Sequence, residues 1–211
     1  MATVRNGRPA RGKALKRPRR DPDNTRSDLL ASATELFARK GYDATSVQEI
    51  VDEAGRTKGA FYHYFESKED LLLNIHDRFI DFQLERGVAI MSRGDRPDVA
   101  LRNFIVEVLM EPMGMYMQEI TIYLQEQRFF SDKAFAEIRV KRDAFANQLV
   151  DIIQQGLDEG VFRNLGPARV MAFGVIGMCA WTHTWMAAAG KLSAHDIGSV
   201  YADLAVGGLL A

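Results

Sequence analysis

The tightest constraint on this chain lies between Thr45 and Tyr64, where two helical stretches too short to stand alone flank a glycine. Residues 46–54 place Val47, Ile50, Val51 and Ala54 at helical spacing. Gly55 closes that stretch, Arg56 completes the turn, and residues 57–64 read as a second short helix. This is the spacing of a helix-turn-helix unit, which lays its second helix in the major groove of DNA with the N-terminal end towards the bases. Phe61 and Phe65, four apart, anchor one side of that helix and leave Lys58, Tyr62, His63 and Tyr64 on the remaining surface. The competing reading gathers Phe61, Tyr62, Tyr64 and Phe65 into one core cluster, which would bury two phenols and a nearby cation unpaired.

The remainder also reads as helix. Apolar residues recur at three and four, as in Leu29, Leu30, Ala33, Leu36 and Phe37, and no stretch alternates with period two, so the expected fold class is all-α. Gly41 stops the first helix, Thr45 with Gln48 makes a capping-box pattern, and Ser67 with Asp70 opens a fourth helix over residues 67–86. Three short helices are thus expected before a long one. Beyond the break at residues 94–97, helices are expected over residues 98–110, 115–130, 132–159, 167–189 and 193–210, with Pro112 and Gly114 interrupting the first pair. The predicted organisation is a three-helix helix-turn-helix DNA-binding head over residues 24–70, joined to a C-terminal helical ligand-binding and dimerisation bundle over residues 71–211.

Charge is polarised along the chain. Of 27 Lys and Arg, eight fall in residues 1–20 with no acid among them, leaving 19 against 28 acidic residues, a net −9, from residue 21 onward. With Gly7, Pro9, Gly12, Pro18 and Pro22 among its cations, the segment 1–23 cannot bury enough apolar surface to offset ordering, and it is expected to be a disordered basic arm that attracts nucleic acid. A passive solubilising tail is the alternative. Cys179 is the only cysteine and no apolar leader opens the chain, so the expected compartment is the reducing cytoplasm.

The run TSVQEIVDEAGRTKGAFYHYFESKEDLL, residues 45–72, with LFARKGYDATS before it, resembles the DNA-binding domain of TetR/AcrR-type transcriptional regulators. That resemblance implies a homodimer of all-helical subunits whose C-terminal bundle binds a small-molecule effector and releases a double-stranded DNA operator. By position it implies that Thr57, Lys58, Gly59, Tyr62, His63 and Tyr64 are recognition-helix contacts and that Ser46 and Lys68 clamp phosphates. Lys68 on the first turn of its helix, and Ser46 with a hydroxyl and an N–H, both suit an anion. Arg56 stands where the family commonly has a small or apolar residue, and either reaches a phosphate or points to solvent. The fourth helix is the expected lever between bundle and head.

In the bundle, residues 170–190 form an uncharged run of 21 positions, long enough to suggest a membrane span. Thr182, His183 and Thr184 interrupt it, and the centre of a bundle calls for the same composition, so no membrane partner is expected. Gly174 and Gly177 permit close helix approach, and this helix with the last one is expected to form the homodimer surface. Candidate effector contacts are Phe104, Met113, Tyr116 and Tyr123 around the helix break, Arg128 beside Phe129, and Trp181 with Trp185; ordinary core packing is the alternative for the break cluster and for the tryptophans, and a solvated helix end for Arg128. The C-terminal half more weakly resembles KstR-like and FadR-like members, which implies a largely apolar effector such as an acyl-CoA thioester of lipid or steroid catabolism. Thr184 and Met186 depart from that pattern. The alternative is a multidrug-type regulator sensing neutral or cationic aromatic compounds.

An enzyme is the competing class. No nucleophile, base and orienter share a recognisable spacing, His63, His76, His183 and His195 lack metal-ligand spacing, and no glycine-rich phosphate loop follows a strand, so no catalytic residue, metal or cofactor is expected. An effector-free architectural DNA binder is a third possibility.

Overall fold

The structure, a computed structural model, describes residues 22–186 and 190–211, and the all-α expectation holds. The expected basic arm lies outside the described residues except at its end, where Pro22 and Asp23 already belong to α1, Pro22–Lys40. This first helix is 19 residues long, so only two short helices precede the long α4. Leu29, Leu30, Ala33, Leu36 and Phe37 form its buried stripe, and Gly41 ends it at φ +85°, a conformation that favours glycine.

α2, Val47–Glu53, is capped by Ser46, whose Oγ accepts from the Glu49 N–H while the Glu49 carboxylate accepts from the Ser46 N–H. The capping box is therefore Ser46 with Glu49, one residue later than Thr45 with Gln48. Thr45 instead donates its hydroxyl to the Gly41 carbonyl, and Gln48 bonds Asp52 along the helix. Gly55, at φ +60°, makes the turn into α3, Lys58–Tyr64, which Thr57 caps through the Ala60 N–H. α4 runs from Lys68 past the expected end at Arg86 to Met91, and Ser67 caps it.

From Pro97 to Glu126 the chain stays helical, contrary to the expected break at Pro112–Gly114. α5, Pro97–Asn103, passes into a wide π-helical stretch, Phe104–Met110, and then into α6, Glu111–Glu126. Pro112 lies in the first turn of α6, where proline is tolerated. The discontinuity falls at Tyr116, whose φ −120° and ψ 25° leave the helical basin. α7, Asp132–Asp158, and α8, Ala168–Ala180, follow; α8 gives way to one 3-10 turn, Trp181–Thr184, instead of reaching Ala189. α9, Ala194–Leu209, packs closely on the π-helical stretch, because Gly198 lets the Met110 side chain approach where a Cβ would stand 2.9 Å from it. Among the described residues no helix is long and apolar enough to cross a membrane.

Among the described residues, two hydrophobic cores result. One gathers α1, α2, α3 and the start of α4 around Phe61 and Phe65, and the other fills the bundle around Phe79, Phe104 and Phe145. α4 contributes to both, through Leu71, Leu72 and Ile75 and then Phe79, Ile80 and Ile90. So does α6: Ile120 packs in the bundle, whereas Ile122 belongs to the core of the head.

Candidate nucleic-acid interface and effector cavity

Phe61 and Phe65, fully buried with ring centroids 5.6 Å apart, hold one side of α3 in the core of the head. Lys58, Gly59, Tyr62 and His63 face outward, with Tyr62 57% exposed. Tyr64 is half-buried, packed against the head core, with its ring edge-on to His63 at 4.8 Å. The four aromatics therefore do not form one buried cluster. Thr57 is exposed although its hydroxyl serves as a cap. A Cβ on Gly59 would meet nothing closer than the Thr57 Oγ1 at 3.9 Å, so no contact among the described residues explains a glycine there.

Three expected DNA contacts are occupied within the protein. Arg56 neither reaches outward nor points to solvent: it pairs with Asp28, bracing the turn against α1. Ser46 directs both its N–H and its hydroxyl at Glu49, which also pairs with Lys40; these bonds, Lys40 first, hold the Glu49 carboxyl down at about 2. Lys68 donates its ammonium to the carbonyls of Tyr42 and Thr45, both at 2.8 Å, and lies 4.1 Å from the Tyr42 ring centroid. Burial lowers its pKa. Lys68 thus fastens the loop between α1 and α2, and Lys68→Met is expected to cost about 1.5–3 kcal/mol of stability in denaturant unfolding, the range for hydrogen bonds to a charged group. An unchanged midpoint would return Lys68 to the role of a free phosphate clamp.

The same loop meets the bundle. The Tyr42 N–H donates to the buried Glu126 carboxylate at 3.2 Å, and its ring lies 5.1 Å from that of Phe129. Nearby, the Ser131 N–H donates to Glu69 at 2.7 Å and, with the Ser131 hydroxyl, lowers the pKa of that carboxyl. The end of α6 is therefore keyed into the head, a connection between residues 84 positions apart that no local pattern marks.

A cavity of about 50 Å³ lies at the centre of the bundle, lined by Phe79, Gln83, Met113, Leu124, Arg142 and Cys179 with their neighbours. It is far smaller than the roughly 300–1,000 Å³ of a ligand-filled site. Of the expected effector residues, Met113 lines it. Phe104 does not: it is fully buried core, 5.9 Å from the Phe145 ring. Tyr116 packs on Phe82 at the kink, and Tyr123 stacks beside His76 at 4.8 Å, just behind the lining. Arg128 covers the ring of its neighbour Phe129 at the surface. Trp181 and Trp185 are 66% and 51% exposed and do not wall the cavity. Burial pushes the Cys179 thiol up to about 12.

Arg142 was missed, although its spacing was informative: it falls in the α7 stripe of Ile138, Phe145, Leu149 and Ile152. Its guanidinium lies over the rings of Phe79 and Tyr123 at 4.9 and 4.3 Å, and burial works against its charge. Its Nε donates to His76 Nε2 at 3.3 Å. Since arginine can only donate, His76 is the neutral tautomer with its proton on Nδ1, 3.1 Å from Asp77. Burial lowers the His76 pKa accordingly.

Along α8, the 3-10 turn that follows it, and α9, Val170, Phe173, Trp181, Val200 and Leu204 are exposed. A groove of about 330 Å³ runs between the helices, lined by Leu165, Met171, Gly174, Leu204 and Gly208. A Cβ at Gly174, Gly177, Gly207 or Gly208 would meet nothing within 4 Å, so no side chain among the described residues packs against these positions.

Residues 29–75 match the family described as bacterial regulatory proteins, tetR family, and residues 95–209 match the tetracyclin repressor-like C-terminal domain. The chain is 30% identical over 190 residues to the HTH-type transcriptional repressor KstR2 of Mycobacterium tuberculosis, covering 89% of this chain and 94% of that protein. Among solved structures it is similar to the TetR family transcriptional regulator PfmR from Thermus thermophilus, with a TM-score of 0.79, 29% identity, and coverage of 84% of this chain and 96% of that one. It is also similar to AibR crystallised with isovaleryl coenzyme A and operator DNA, with a TM-score of 0.73, 25% identity, and coverage of 88% and 98%.

Proposed function

Because the chain belongs to the TetR family of bacterial regulatory proteins, we propose that it is a ligand-responsive transcriptional repressor that binds a pseudo-palindromic operator as a homodimer. The observation that carries this reading is α3, anchored by Phe61 and Phe65 while Lys58, Gly59, Tyr62 and His63 stay free of the protein interior. Thr57, Lys58, Gly59, Tyr62 and His63 are the proposed DNA contacts, with Tyr64 at their margin. The exposed apolar faces of α8 and α9 are the proposed dimer surface, since their glycines offer close approach to a second copy.

The effector is a largely apolar molecule, with an acyl-CoA thioester the leading class; AibR was crystallised with isovaleryl coenzyme A. A cationic drug-like effector is disfavoured by the Arg142 guanidinium in the cavity wall. Because the cavity is small, binding must displace α6 side chains such as Met113 and Leu124. The same helix carries Ile122 and Glu126 into the head, where Glu126 holds Tyr42 and Tyr42 holds Lys68. Movement of α6, together with the α4 lever, would change the separation of the paired α3 helices, and coupling of roughly 1–3 kcal/mol would release the operator.

Footprinting on the DNA upstream of the chain's own gene tests the reading. Two protected half-sites about 34–36 Å apart are expected. Tyr62→Ala is expected to reduce the ratio of operator to random-sequence affinity by about 1–3 kcal/mol, or roughly 5–150-fold. A ratio equal to that of the wild type would remove Tyr62 from the base-reading face.

A further inference from the structure

We propose that the portion of the effector reaching the central cavity ends in a carboxylate, held by the guanidinium of Arg142. The inference rests on the reading of this cavity as the effector site, and narrows it from a largely apolar molecule to one with an acid group at its buried end.

Arg142 carries a charge into the apolar centre of the bundle without an acid to meet it. No carboxylate forms an ion pair with it among the described residues, and the nearby acids have other cations. Asp77 and Asp81 on α4 pair with Lys141, at 3.0 and 2.7 Å, and Glu119 on α6 pairs with Arg78 at 3.5 Å. The one acceptor at Nε, His76, is neutral, so it satisfies a hydrogen bond without compensating the charge. The Phe79 ring and Tyr123, which meets the guanidinium with its hydroxyl as well as its ring, complete the immediate surroundings and bring no carboxylate. A half-buried cation without a counter-charge is costly, and a carboxylate relieves the cost with two parallel charge-assisted hydrogen bonds. The rest of the lining, Leu109, Met113, Ile120, Leu124, Phe145 and Ile176, suits the apolar body that such an acid would carry.

Two sources share that chemistry: a free organic acid, or a thioester whose acyl chain bears a second acid at its far end. Calorimetric titration of the full chain without DNA separates them, using octanoate against 1-octanol, and octanedioyl-CoA against octanoyl-CoA. In at least one pair the carboxylate is expected to bind 10-fold or more tightly than its partner, and the pair that discriminates names the source. Arg142→Met should abolish that preference without lowering the melting temperature of the ligand-free protein. Arg142→Gln, which keeps a polar head in the same space, reads the same preference independently of how the methionine variant folds. Absence of a preference in both pairs for the wild type, or its survival in the variants, overturns the proposal. Operator footprinting with ligand-free protein is unaffected by either result, so failure here is distinct from failure of the repressor reading.

Discussion

Phe61→Ala is expected to melt the DNA-binding head while leaving the bundle folded. The ring is fully buried, stands against Phe65, and shares a core with Leu29, Ile50, Leu71 and Leu72. Truncating such a phenylalanine costs about 3–5 kcal/mol, a large share of the roughly 5–15 kcal/mol that stabilises a domain. α3 has only seven residues and cannot persist without the core it leans on. Chemical denaturation followed by far-UV circular dichroism should show an early transition for the head and a later one for α5 to α9. Tyr62→Ala, one position along on the exposed side, is the control and should leave both transitions in place. Matching midpoints for the two variants would mean that α3 has been assigned the wrong inner face.

The contrast between those neighbours is legible in the sequence, because a helix-turn-helix declares itself locally. Gly41 and Gly55 stop helices, Ser67 starts one, and the four-residue step from Phe61 to Phe65 sets the inner face of α3. The less visible features depend on partners distant in sequence. Arg56 looks available until α1 brings Asp28 beside it, and Lys68 looks like a phosphate clamp until the loop after α1 turns two carbonyls towards it. Glu126 gives no local hint that it ends in the head, since its acceptor role is set by the register of α6 against Tyr42.

The proposed effector site is harder to read for a related reason. Pro112 and Gly114 are ordinary breakers, yet tertiary packing carries the helix through them, and the irregularity moves to a π-helical stretch and to Tyr116. Trp181 and Trp185 drew attention as large rings, but the helix holding them ends early and leaves both exposed. Arg142 follows Arg139 and Lys141 closely, so charge alone gives it no distinction from its neighbours. Only its place in the α7 stripe distinguished it, and a cation in an apolar stripe is informative once the stripe is known to face a cavity.

Gly59→Glu should separate folding from DNA binding more sharply than any change in the core. Gly59 is the second residue of α3, exposed, and a Cβ there would make only an ordinary contact with the Thr57 Oγ1 at 3.9 Å. Within the protein, the substitution replaces the residue of highest backbone entropy with a good helix former and puts a carboxylate in the first turn, where the helix dipole favours it. Stability is therefore expected to stay level or rise by up to about 1 kcal/mol. Against DNA the effect is opposite: the side chain blocks close approach of the backbone and sets a negative charge against phosphates, a like-charge contact that costs several kcal/mol. Operator and random-sequence affinity should both fall, by about 100-fold or more, with an unchanged or higher melting temperature. A stable variant that still binds DNA like the wild type would show that the outward face of α3 is not the face that meets the duplex, whereas a destabilised one would assign the glycine to the fold instead.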